Sequence, residues 1–261
     1  MTTQELIEID GHTFDLRPIE GRRGIEGAFT LKKPRWTLDR YLGLAEEFQG
    51  ANVVELGLWD GGSTAFLASA FQPRSLVGFE LHERPLTTLE RFLDGHPLRD
   101  SVHVHLGVDQ ADAPALRRSI DAEVDGPLDV VVDDASHLLG PTAASFDCLF
   151  PLLRPHGVYV IEDWSWDHQL AFGIRQSLAS GELGADELLE TNKGVIPASP
   201  LSRLIIDIML ATANPDGIVE EIRVERGFAV VRRGATELDP DGFSLRDLIG
   251  EIGREVSPRP D

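Results

Sequence analysis

The feature that most constrains the fold is the alternation of short apolar runs, rich in β-branched residues, with helical patterns. Five such runs occur, at residues 52–56, 75–80, 102–106, 128–132 and 158–161. Helical patterns lie between them and before the first, at residues 38–48, 63–71, 85–93, 113–123 and 141–153. Strands that alternate with helices in this way build a parallel sheet covered by helices. The sequence therefore predicts an α/β fold with helices on both faces of a five-stranded parallel sheet.

The last third of the chain departs from this alternation. Helical patterns at residues 170–180 and 202–213 lie within a long segment after the fifth strand. Two strand-like runs, residues 218–224 and 228–232, then flank Glu225-Arg226-Gly227 and predict a terminal antiparallel hairpin. We expect residues 1–50 to form an arm and helix over the active site. Residues 51–261 would form the main domain, with an insertion at about 165–217.

Composition narrows the possible partners. With 44 acidic and 24 basic residues the net charge is −20, which argues against a nucleic-acid substrate. The start of the chain lacks the pattern of a signal peptide, and the apolar run 204–213 is short and contains Asp207, so we expect a cytoplasmic protein with no membrane partner. The single cysteine, Cys148, excludes an intramolecular disulfide and is expected to be buried.

A glycine-rich loop follows the first predicted strand. Its glycines, Gly57, Gly61 and Gly62, occupy relative positions 0, 4 and 5, whereas the dinucleotide-binding fingerprint requires 0, 2 and 5. This spacing disfavours a dehydrogenase. Glycine still allows the backbone to approach a ligand at the carboxyl end of the strand, and Ser63 is expected to cap the following helix.

Polar residues at the ends of the next two strands add to this candidate cofactor site. Glu80 ends the second strand, where a carboxylate can accept hydrogen bonds from both ribose hydroxyls of a nucleoside. Asp109 and Gln110 follow the third strand and are expected near the adenine edge. Acidic residues at strand ends also serve turns and caps, so each signal is weak alone. Their order after the glycine loop favours a cofactor site.

Acidic residues end the fourth and fifth strands, as Asp133-Asp134 and Glu162-Asp163. Carboxylates gathered at one sheet edge repel one another unless a cation lies between them. Oxygen ligands without cysteine favour Mg²⁺, or else Mn²⁺ or Ca²⁺, over zinc. The alternative is that these carboxylates cap loops or pair with arginine.

These motifs together resemble the metal-dependent sugar O-methyltransferases of macrolide pathways, of the mycinamicin and tylosin type, and more distantly the cephalosporin-hydroxylase-like proteins. The resemblance covers residues 53–163 and thins outside them. It rests on Glu55-Leu56-Gly57, Gly61-Gly62-Ser63-Thr64, Asp109-Gln110, Asp133-Asp134-Ala135-Ser136-His137 and Tyr159-Val160-Ile161-Glu162-Asp163. It implies the Rossmann-like sheet of class I methyltransferases, in which the terminal hairpin is typical.

The resemblance also implies roles for individual residues. Asp134, Glu162 and Asp163 would bind Mg²⁺, and His137 would be the general base. The residues expected to bind S-adenosylmethionine are Glu55, Gly57, Gly61, Ser63, Glu80, Asp109, Gln110 and Asp133. Asp133 is also expected to orient the loop or His137.

The function that follows is Mg²⁺-dependent methylation of a deoxysugar hydroxyl in secondary-metabolite biosynthesis, on a nucleotide-linked sugar or a glycosylated natural product. One alternative is O-methylation of a catechol-like or other vicinal diol. Another is a non-catalytic cofactor-binding partner of a second enzyme. A homo-oligomer is expected, built through the N-terminal segment or the insertion.

Other residues allow two interpretations. Trp164, Trp166 and His168 would form an acceptor wall or pack beneath the insertion, and Trp36 and Tyr41 allow the same two roles. The stretch from Leu16 to Arg40 is basic, with seven basic and three acidic residues. Its cations either form a solvated surface or hold the diphosphate of a nucleotide-linked sugar, for which the candidates are Arg22, Arg23, Lys32 and Lys33.

Overall fold

The computed structural model describes residues 6–16, 27–180 and 199–256. Its main sheet has seven strands, ordered β6-β5-β4-β7-β8-β10-β9. They are β4 (Asn52–Leu56), β5 (Ser75–Glu80), β6 (Val102–Leu106), β7 (Leu128–Asp133), β8 (Leu153–Glu162), β9 (Val219–Glu225) and β10 (Phe228–Arg233). The first five pair in parallel, and β9 and β10 form an antiparallel hairpin that pairs with β8. The predicted sheet and hairpin are confirmed.

Eight helices surround the sheet within the described residues. They are α1 (Arg35–Glu47), α2 (Gly62–Phe71), α3 (Thr87–Leu93), α4 (Ala113–Glu123), α5 (Leu139–Leu149), α6 (Trp166–Ser180), α7 (Ser202–Ala211) and α8 (Leu245–Val256). The predicted helix over 141–153 is wrong at its end. Pro151 lacks the N–H that would continue the α-helical ladder, so α5 stops at Leu149, a 3₁₀ turn follows, and β8 begins at Leu153.

Two hydrophobic clusters cover the two faces of the sheet. Adjacent residues of a strand face opposite sides, and accordingly Val53 belongs to one cluster and Val54 to the other. Helices α1 to α3 pack on the first face, and α4, α5, α7 and α8 on the second. The prediction of helices on both faces is confirmed, as is the burial of Cys148.

The N-terminal arm contains a small sheet that the sequence analysis did not predict. Strands β1 (Leu6–Ile9) and β2 (His12–Asp15) form a hairpin through Asp10 and Gly11, and β3 (Phe29–Thr30) pairs with β2. Asp10 and Gly11 have φ values of 49° and 75°, as a two-residue turn of this hand requires. Phe14 packs edge-on against Phe66 of α2. The arm therefore shares the core of the main sheet, and the boundary at residue 50 stays a prediction.

Helix α8 was also missed by the sequence analysis. Leu245 is buried and Leu248 and Ile249 pack beside it, with the spacing of one helix face. Within the described residues, no helix is both long and apolar enough to cross a membrane. Residues 181–198 of the predicted insertion lie outside the described residues.

Candidate active site

The candidate site lies where the strand order reverses, between β4 and β7. Gly57 N–H donates to Phe79 O, and Asp134 N–H donates to Leu56 O, both at 2.9 Å. A Cβ on Gly57 would lie 2.3 Å from the carbonyl oxygen of Asp134, and its φ is +85°. Only glycine allows the loops after β4 and β7 to pass this closely. In open α/β sheets ligands bind at such a point.

A cavity of about 650 Å³ opens over this point. Most of the predicted site residues line it: Gly57, Ser63, Glu80, Asp109, Gln110, Asp134, His137, Glu162 and Asp163. Glu55, Gly61 and Asp133 lie behind its wall. They are not among the residues that line the cavity, and their predicted contact with a cofactor stays a prediction.

Glu80 holds the glycine-rich loop. Its carboxylate accepts hydrogen bonds from the backbone N–H groups of Leu58 and Trp59, at 3.0 and 2.8 Å, and of His82, at 3.0 Å. Because a carboxylate has about four lone-pair sites, these bonds leave capacity for a ligand hydroxyl. Glu80 thus fixes the loop and still faces the cavity.

The start of α2 behind the loop corrects one prediction. Helix α2 begins at Gly62, with Gly61 as a left-handed N-cap, so Ser63 is not the cap residue. Gly61 is also packed so closely that an added Cβ would lie 2.4 Å from Leu89 Cβ. Glu55 is fully buried. Burial raises the pKa of Glu55 to about 7, and the Ser63 and Thr64 hydroxyls offset this only partly, since neither carboxylate oxygen has a well-aligned hydrogen bond within the described part of the chain.

Asp133 organises the loop after β7 from behind. Its carboxylate accepts hydrogen bonds from Gln110 Nε2 at 3.1 and 3.2 Å, from Ser145 Oγ at 2.6 Å and from Tyr159 OH at 2.9 Å. The Gln110 Oε1 atom in turn accepts the Ser136 N–H at 2.8 Å. Asp133 therefore fixes Gln110, and Gln110 fixes the loop that carries Asp134 and His137.

The carboxyl ends of β7 and β8 bring three polar side chains together. One ligand atom each from Asp134, His137 and Asp163 lies within 4.8 Å of the others, and His137 Nε2 is 3.8 Å from Asp134 Oδ1. His137 and Asp163 have left-handed backbones, with φ values of 54° and 49°. Burial raises the pKa of Asp163, and His137 opposes that rise. Strained residues that persist in this way often mark functional sites.

Glu162 joins this cluster through a residue that the sequence analysis assigned elsewhere. Lys33 Nζ donates to Glu162 Oε1 at 2.6 Å and to Asp134 Oδ2 at 2.7 Å, and Tyr41 OH donates to Glu162 Oε1 at 2.5 Å. Burial and the nearby Asp134 raise the pKa of Glu162, although Lys33 opposes the rise. Burial acts to lower the pKa of Lys33, but its two carboxylate partners outweigh burial and raise it.

The predicted role of the basic stretch is therefore corrected in part. Lys33 is buried against the carboxylates, so it does not present its charge to a diphosphate. Lys32 lies over the Trp59 ring, 3.5 Å from its centroid. Arg22 and Arg23 lie outside the described residues. The sequence offered one indication of this role for Lys33: four acidic residues end β7 and β8, and carboxylates gathered at one sheet edge require a nearby positive charge.

The donors at this edge fit a divalent cation. Asp134 and Asp163 offer carboxylate oxygens to a cation, and the ring nitrogen of His137, the predicted base, lies within the same small cluster. Mg²⁺ and Mn²⁺ accept such oxygen-rich sets. Glu162 lies next to the cluster, but its Oε1 atom is held by Lys33 and Tyr41. The three predicted metal ligands thus lie close to one another. Glu162 differs from Asp134 and Asp163 because one of its carboxylate oxygens accepts hydrogen bonds from both Lys33 and Tyr41.

The aromatic residues after β8 support the site rather than line it. Trp166 Nε1 donates to His137 O at 2.9 Å, and Trp164 Nε1 donates to Glu225 O at 2.8 Å. His168 Nε2 lies 2.8 Å from Ser202 Oγ. These three residues line neither of the two cavities at this edge, which favours the interpretation that they pack beneath the insertion. Trp36 does line the cavity, whereas Tyr41 is buried.

Comparison with known proteins agrees with the fold and the motifs. Residues 54–164 match the family model described as Methyltransferase domain. The 8-demethyl-8-alpha-L-rhamnosyl tetracenomycin-C 2'-O-methyltransferase of Streptomyces olivaceus is 44% identical over 171 residues, which cover 60% of this chain and 41% of that protein. The mycinamicin VI 2''-O-methyltransferase of Micromonospora griseorubida is 33% identical over 132 residues, covering 48% of this chain and 30% of that protein.

A solved structure extends the similarity to three dimensions. The MycE methyltransferase of the mycinamycin biosynthetic pathway, in complex with Mg, SAH and mycinamycin VI, superposes with a TM-score of 0.52 at 26% identity. The match covers 76% of this chain and 48% of that one. This chain has the class I methyltransferase fold, and its resemblance to macrolide sugar O-methyltransferases is confirmed. The chain spans less than half the length of the curated relatives described above.

Proposed function

We propose that this protein transfers a methyl group from S-adenosylmethionine to a hydroxyl of a deoxysugar, with a divalent cation, most simply Mg²⁺, as cofactor. One observation carries the proposal. The cluster of Asp134, His137 and Asp163 lies in the wall of the same cavity as the glycine-rich loop and Glu80. A proton acceptor, two hard ligands and a nucleoside-binding edge thus share one space.

The loop side of the cavity suits the methyl donor. Glu80 has lone pairs available for ribose hydroxyls, and Asp109 and Gln110 border the position expected for the adenine. Gly62 and Ser63 lie at the start of α2, where backbone N–H groups favour a carboxylate such as that of the methionine part. These contacts would orient the sulfonium methyl toward the ends of β7 and β8.

The opposite side of the cavity suits the acceptor. Methyl transfer is an in-line displacement, so the attacking oxygen approaches the methyl carbon opposite the sulfur. The donor residues follow β4, β5 and β6, whereas Asp134 and Asp163 follow β7 and β8 across the strand-order reversal. An oxygen beside Asp134 and Asp163 would therefore face the methyl carbon from the required side.

His137 is the group that takes the proton. A neutral imidazole has a ring nitrogen with a free lone pair, and histidine is the side chain that most often serves as a general base. Asp134 Oδ1, at 3.8 Å from Nε2, stabilises the imidazolium that results. The Trp166 indole holds the His137 carbonyl and so fixes the residue in its left-handed backbone.

Asp134 and Asp163, with Glu162 beside them, are the residues that would hold the cation. When bound, a divalent cation supplies Lewis acidity that stabilises the developing alkoxide of a weakly acidic sugar hydroxyl. Asp163 is fixed for this role because its N–H donates to Gly227 O at 2.7 Å.

The relatives support a sugar as the acceptor. The Streptomyces olivaceus protein is named for a rhamnosyl tetracenomycin, and the Micromonospora griseorubida protein for mycinamicin VI. Both names specify O-methylation. A 6-deoxyhexose, either nucleotide-linked or attached to a natural product, is the acceptor class that we infer for this chain.

Isotope transfer tests the proposal. The protein is incubated with methyl-labelled S-adenosylmethionine, Mg²⁺ and separate acceptors: methyl α-L-rhamnopyranoside, thymidine diphosphate L-rhamnose and catechol. Mass spectrometry should find one labelled methyl on a sugar oxygen, and EDTA should abolish transfer until Mg²⁺ is restored. Transfer to catechol alone would assign the alternative diol function, and undiminished transfer in EDTA would exclude the metal role.

A further inference from the structure

Lys33 is a feature of the candidate active site to which the proposed function gives no chemical role. Its ammonium group lies at the carboxyl ends of β7 and β8, where it donates to Asp134 Oδ2 at 2.7 Å and to Glu162 Oε1 at 2.6 Å. Lys33 belongs to the wall of the cavity, as do His137 and Asp163. A cation of the chain itself therefore lies at the edge where the acceptor hydroxyl would react.

We propose that Lys33 is a catalytic residue that donates a hydrogen bond to the acceptor oxygen and stabilises the negative charge that develops there during methyl transfer. The inference rests on the proposed function and deepens it, because it adds an electrophilic side chain beside the divalent cation. It applies to any hydroxyl that reacts at this edge and does not depend on the identity of the acceptor.

The hydrogen-bonding capacity of Lys33 supports this role. An ammonium group has three N–H donors and no acceptor. Asp134 and Glu162 take two of these donors, and the third has no partner within the described part of the chain. Because Lys33 lines the cavity, an oxygen atom that enters beside Asp134 can accept the third hydrogen bond. Two carboxylates share the charge, so the ammonium group suits one oxygen in direct contact rather than a more distant diphosphate.

The backbone holds Lys33 in place from both sides. Two residues before it, the Leu31 N–H donates to Asp15 O at 2.8 Å. The Thr30 carbonyl packs so closely against Gly62 that an added Cβ would overlap it. Helix α1 begins two residues after Lys33. A donor that is already in position needs little reorganisation as charge develops, which is the condition for effective electrostatic stabilisation.

The charges at this edge also favour the role. Asp134, Glu162 and Asp163 carry three negative charges when ionised, and a divalent cation alone would leave one of them unbalanced. A developing alkoxide would then be repelled by its surroundings. The ammonium group of Lys33 balances the third charge and is buried, so water screens it little. Lys33 thus lowers the free-energy cost of placing negative charge on the acceptor oxygen.

Lys33 and His137 have different roles in the transfer step. The acceptor oxygen forms a bond to the methyl carbon while the carbon–sulfur bond breaks, and the electron pair of that bond stays on sulfur to give S-adenosylhomocysteine. The hydroxyl proton passes to His137. Lys33 keeps its three protons, since its two carboxylate partners favour the ammonium form. It is therefore a hydrogen-bond donor and not a second base.

Binding of an oxyanion tests this role without measuring turnover. The probe is 4-nitrocatechol, whose anion forms in neutral buffer and absorbs visible light, added to protein saturated with S-adenosylhomocysteine and Mg²⁺. Lys33→Gln removes the charge but keeps an N–H donor, and it should weaken binding of this anion by about tenfold. Lys33→Arg should retain most of the affinity. Lys32→Met is the matched control, because it removes the preceding cation of the same cavity wall, and it should bind the anion as the wild-type protein does.

The affinity for S-adenosylhomocysteine verifies folding and should be the same in every variant. At saturating Mg²⁺, kcat for methyl transfer should fall by at least about tenfold in Lys33→Gln, with little change in the KM of the acceptor. A structural defect would instead weaken cofactor binding as well. Equal binding of the 4-nitrocatechol anion by Lys33→Gln and the wild-type protein would overturn the role of Lys33.

Nitrogen NMR of the wild-type protein adds a measurement that needs no neutral variant. The ammonium resonance of Lys33, assigned by its loss in Lys33→Arg, should shift when 4-nitrocatechol binds. An unchanged resonance at saturating probe would also overturn the role.

Failure of this role is distinguishable from failure of the proposed function. Methylation of a sugar hydroxyl with an unchanged kcat in Lys33→Gln would refute the role of Lys33 and retain the proposed function. Binding of the anion that depends on Lys33, in a protein that methylates no sugar hydroxyl, would retain the role and refute the proposed acceptor.

Discussion

The ammonium group of Lys33 lies 2.6 Å from Glu162 Oε1, in the space between two proposed ligands of a divalent cation. Its second partner, Asp134 Oδ2, is 2.7 Å away. The side chain of Lys33 is only 6% exposed, so these charges interact with little screening by water. Lys33 therefore balances the acidic edge from within the chain.

Replacing Lys33 by methionine should have opposite effects on folding and on cation binding. In the variant, Glu162 and Asp134 lose the ammonium group that is their buried partner. The free energy of unfolding should therefore fall by about 3–5 kcal/mol. Removal of a positive charge from the same site should strengthen Mg²⁺ binding by roughly tenfold. Urea unfolding in EDTA and calorimetric titration with Mg²⁺ measure the two effects.

Lys32→Met provides the matched control, because Lys32 is the preceding residue and is exposed over Trp59. It should change neither quantity appreciably. Weaker Mg²⁺ binding in Lys33→Met than in the wild-type protein would show that Lys33 supports the cation site rather than competing with it.

His137→Ala should remove the proton acceptor and leave the donor site intact. A positioned general base contributes about 10²- to 10⁴-fold to rate, so turnover of the deoxysugar should fall by that range. S-adenosylhomocysteine should bind as in the wild-type protein, since the loop, Glu80 and Asp109 are unaltered. His168→Ala is the control: His168 is exposed and lies near Ser202, and its loss should leave turnover unchanged. Near-normal turnover of His137→Ala would show that His137 is not the proton acceptor.

The parallel core could be predicted from sequence because its signals are local. The strand at residues 52–56 and the helix at 113–123 have the bounds that periodicity gives. The role of Lys33 could not, because its partners are 101 and 129 residues away along the chain. Sequence spacing does not report which cation a fold brings to a carboxylate. The burial of Glu55 could not be predicted for a similar reason, because it depends on how β4 pairs with its neighbouring strands.

One missed element did carry a local signal. Asp10-Gly11 between short strand-like runs is a strong indication of a hairpin, and the structure has one there. The left-handed backbones of His137 and Asp163 had no such local signal in the sequence, because histidine and aspartate occur widely in right-handed conformations. Such positions are maintained by tertiary contacts, here Trp166 and Gly227.

Gly57→Ala should disrupt the crossing of the two site loops. The added Cβ would overlap the Asp134 carbonyl, and alanine is strained at φ +85°. We expect the free energy of unfolding to fall by at least about 2 kcal/mol, with weaker binding of S-adenosylmethionine. Gly43→Ala is the control, since Gly43 is in α1 with no atom within 4 Å of its added Cβ, and it should be neutral or slightly stabilising. Urea unfolding and calorimetry compare the two, and equal stabilities would contradict the steric argument.

Glu55 makes a prediction for the dependence of stability on pH. Burial raises the pKa of Glu55 from 4.5 to about 7, so the folded protein holds this proton more tightly than the unfolded chain does. Its contribution to stability is fully present below pH 4.5 and is lost as pH rises to about 7. The loss is roughly 3–4 kcal/mol, from 2.5 pKa units (7 − 4.5) at about 1.4 kcal/mol each. Glu55→Gln should remove this pH-dependent loss of stability.

The measurement is the free energy of unfolding in urea at several pH values between 4.5 and 8, for the wild-type protein and Glu55→Gln. The difference between the two should grow in favour of the glutamine variant as pH rises, because glutamine leaves no buried charge. Glu46→Gln, at an exposed position of α1, should follow the wild-type curve. A constant difference across this range would mean that Glu55 is ionised in the folded protein and that Ser63 and Thr64 stabilise its charge.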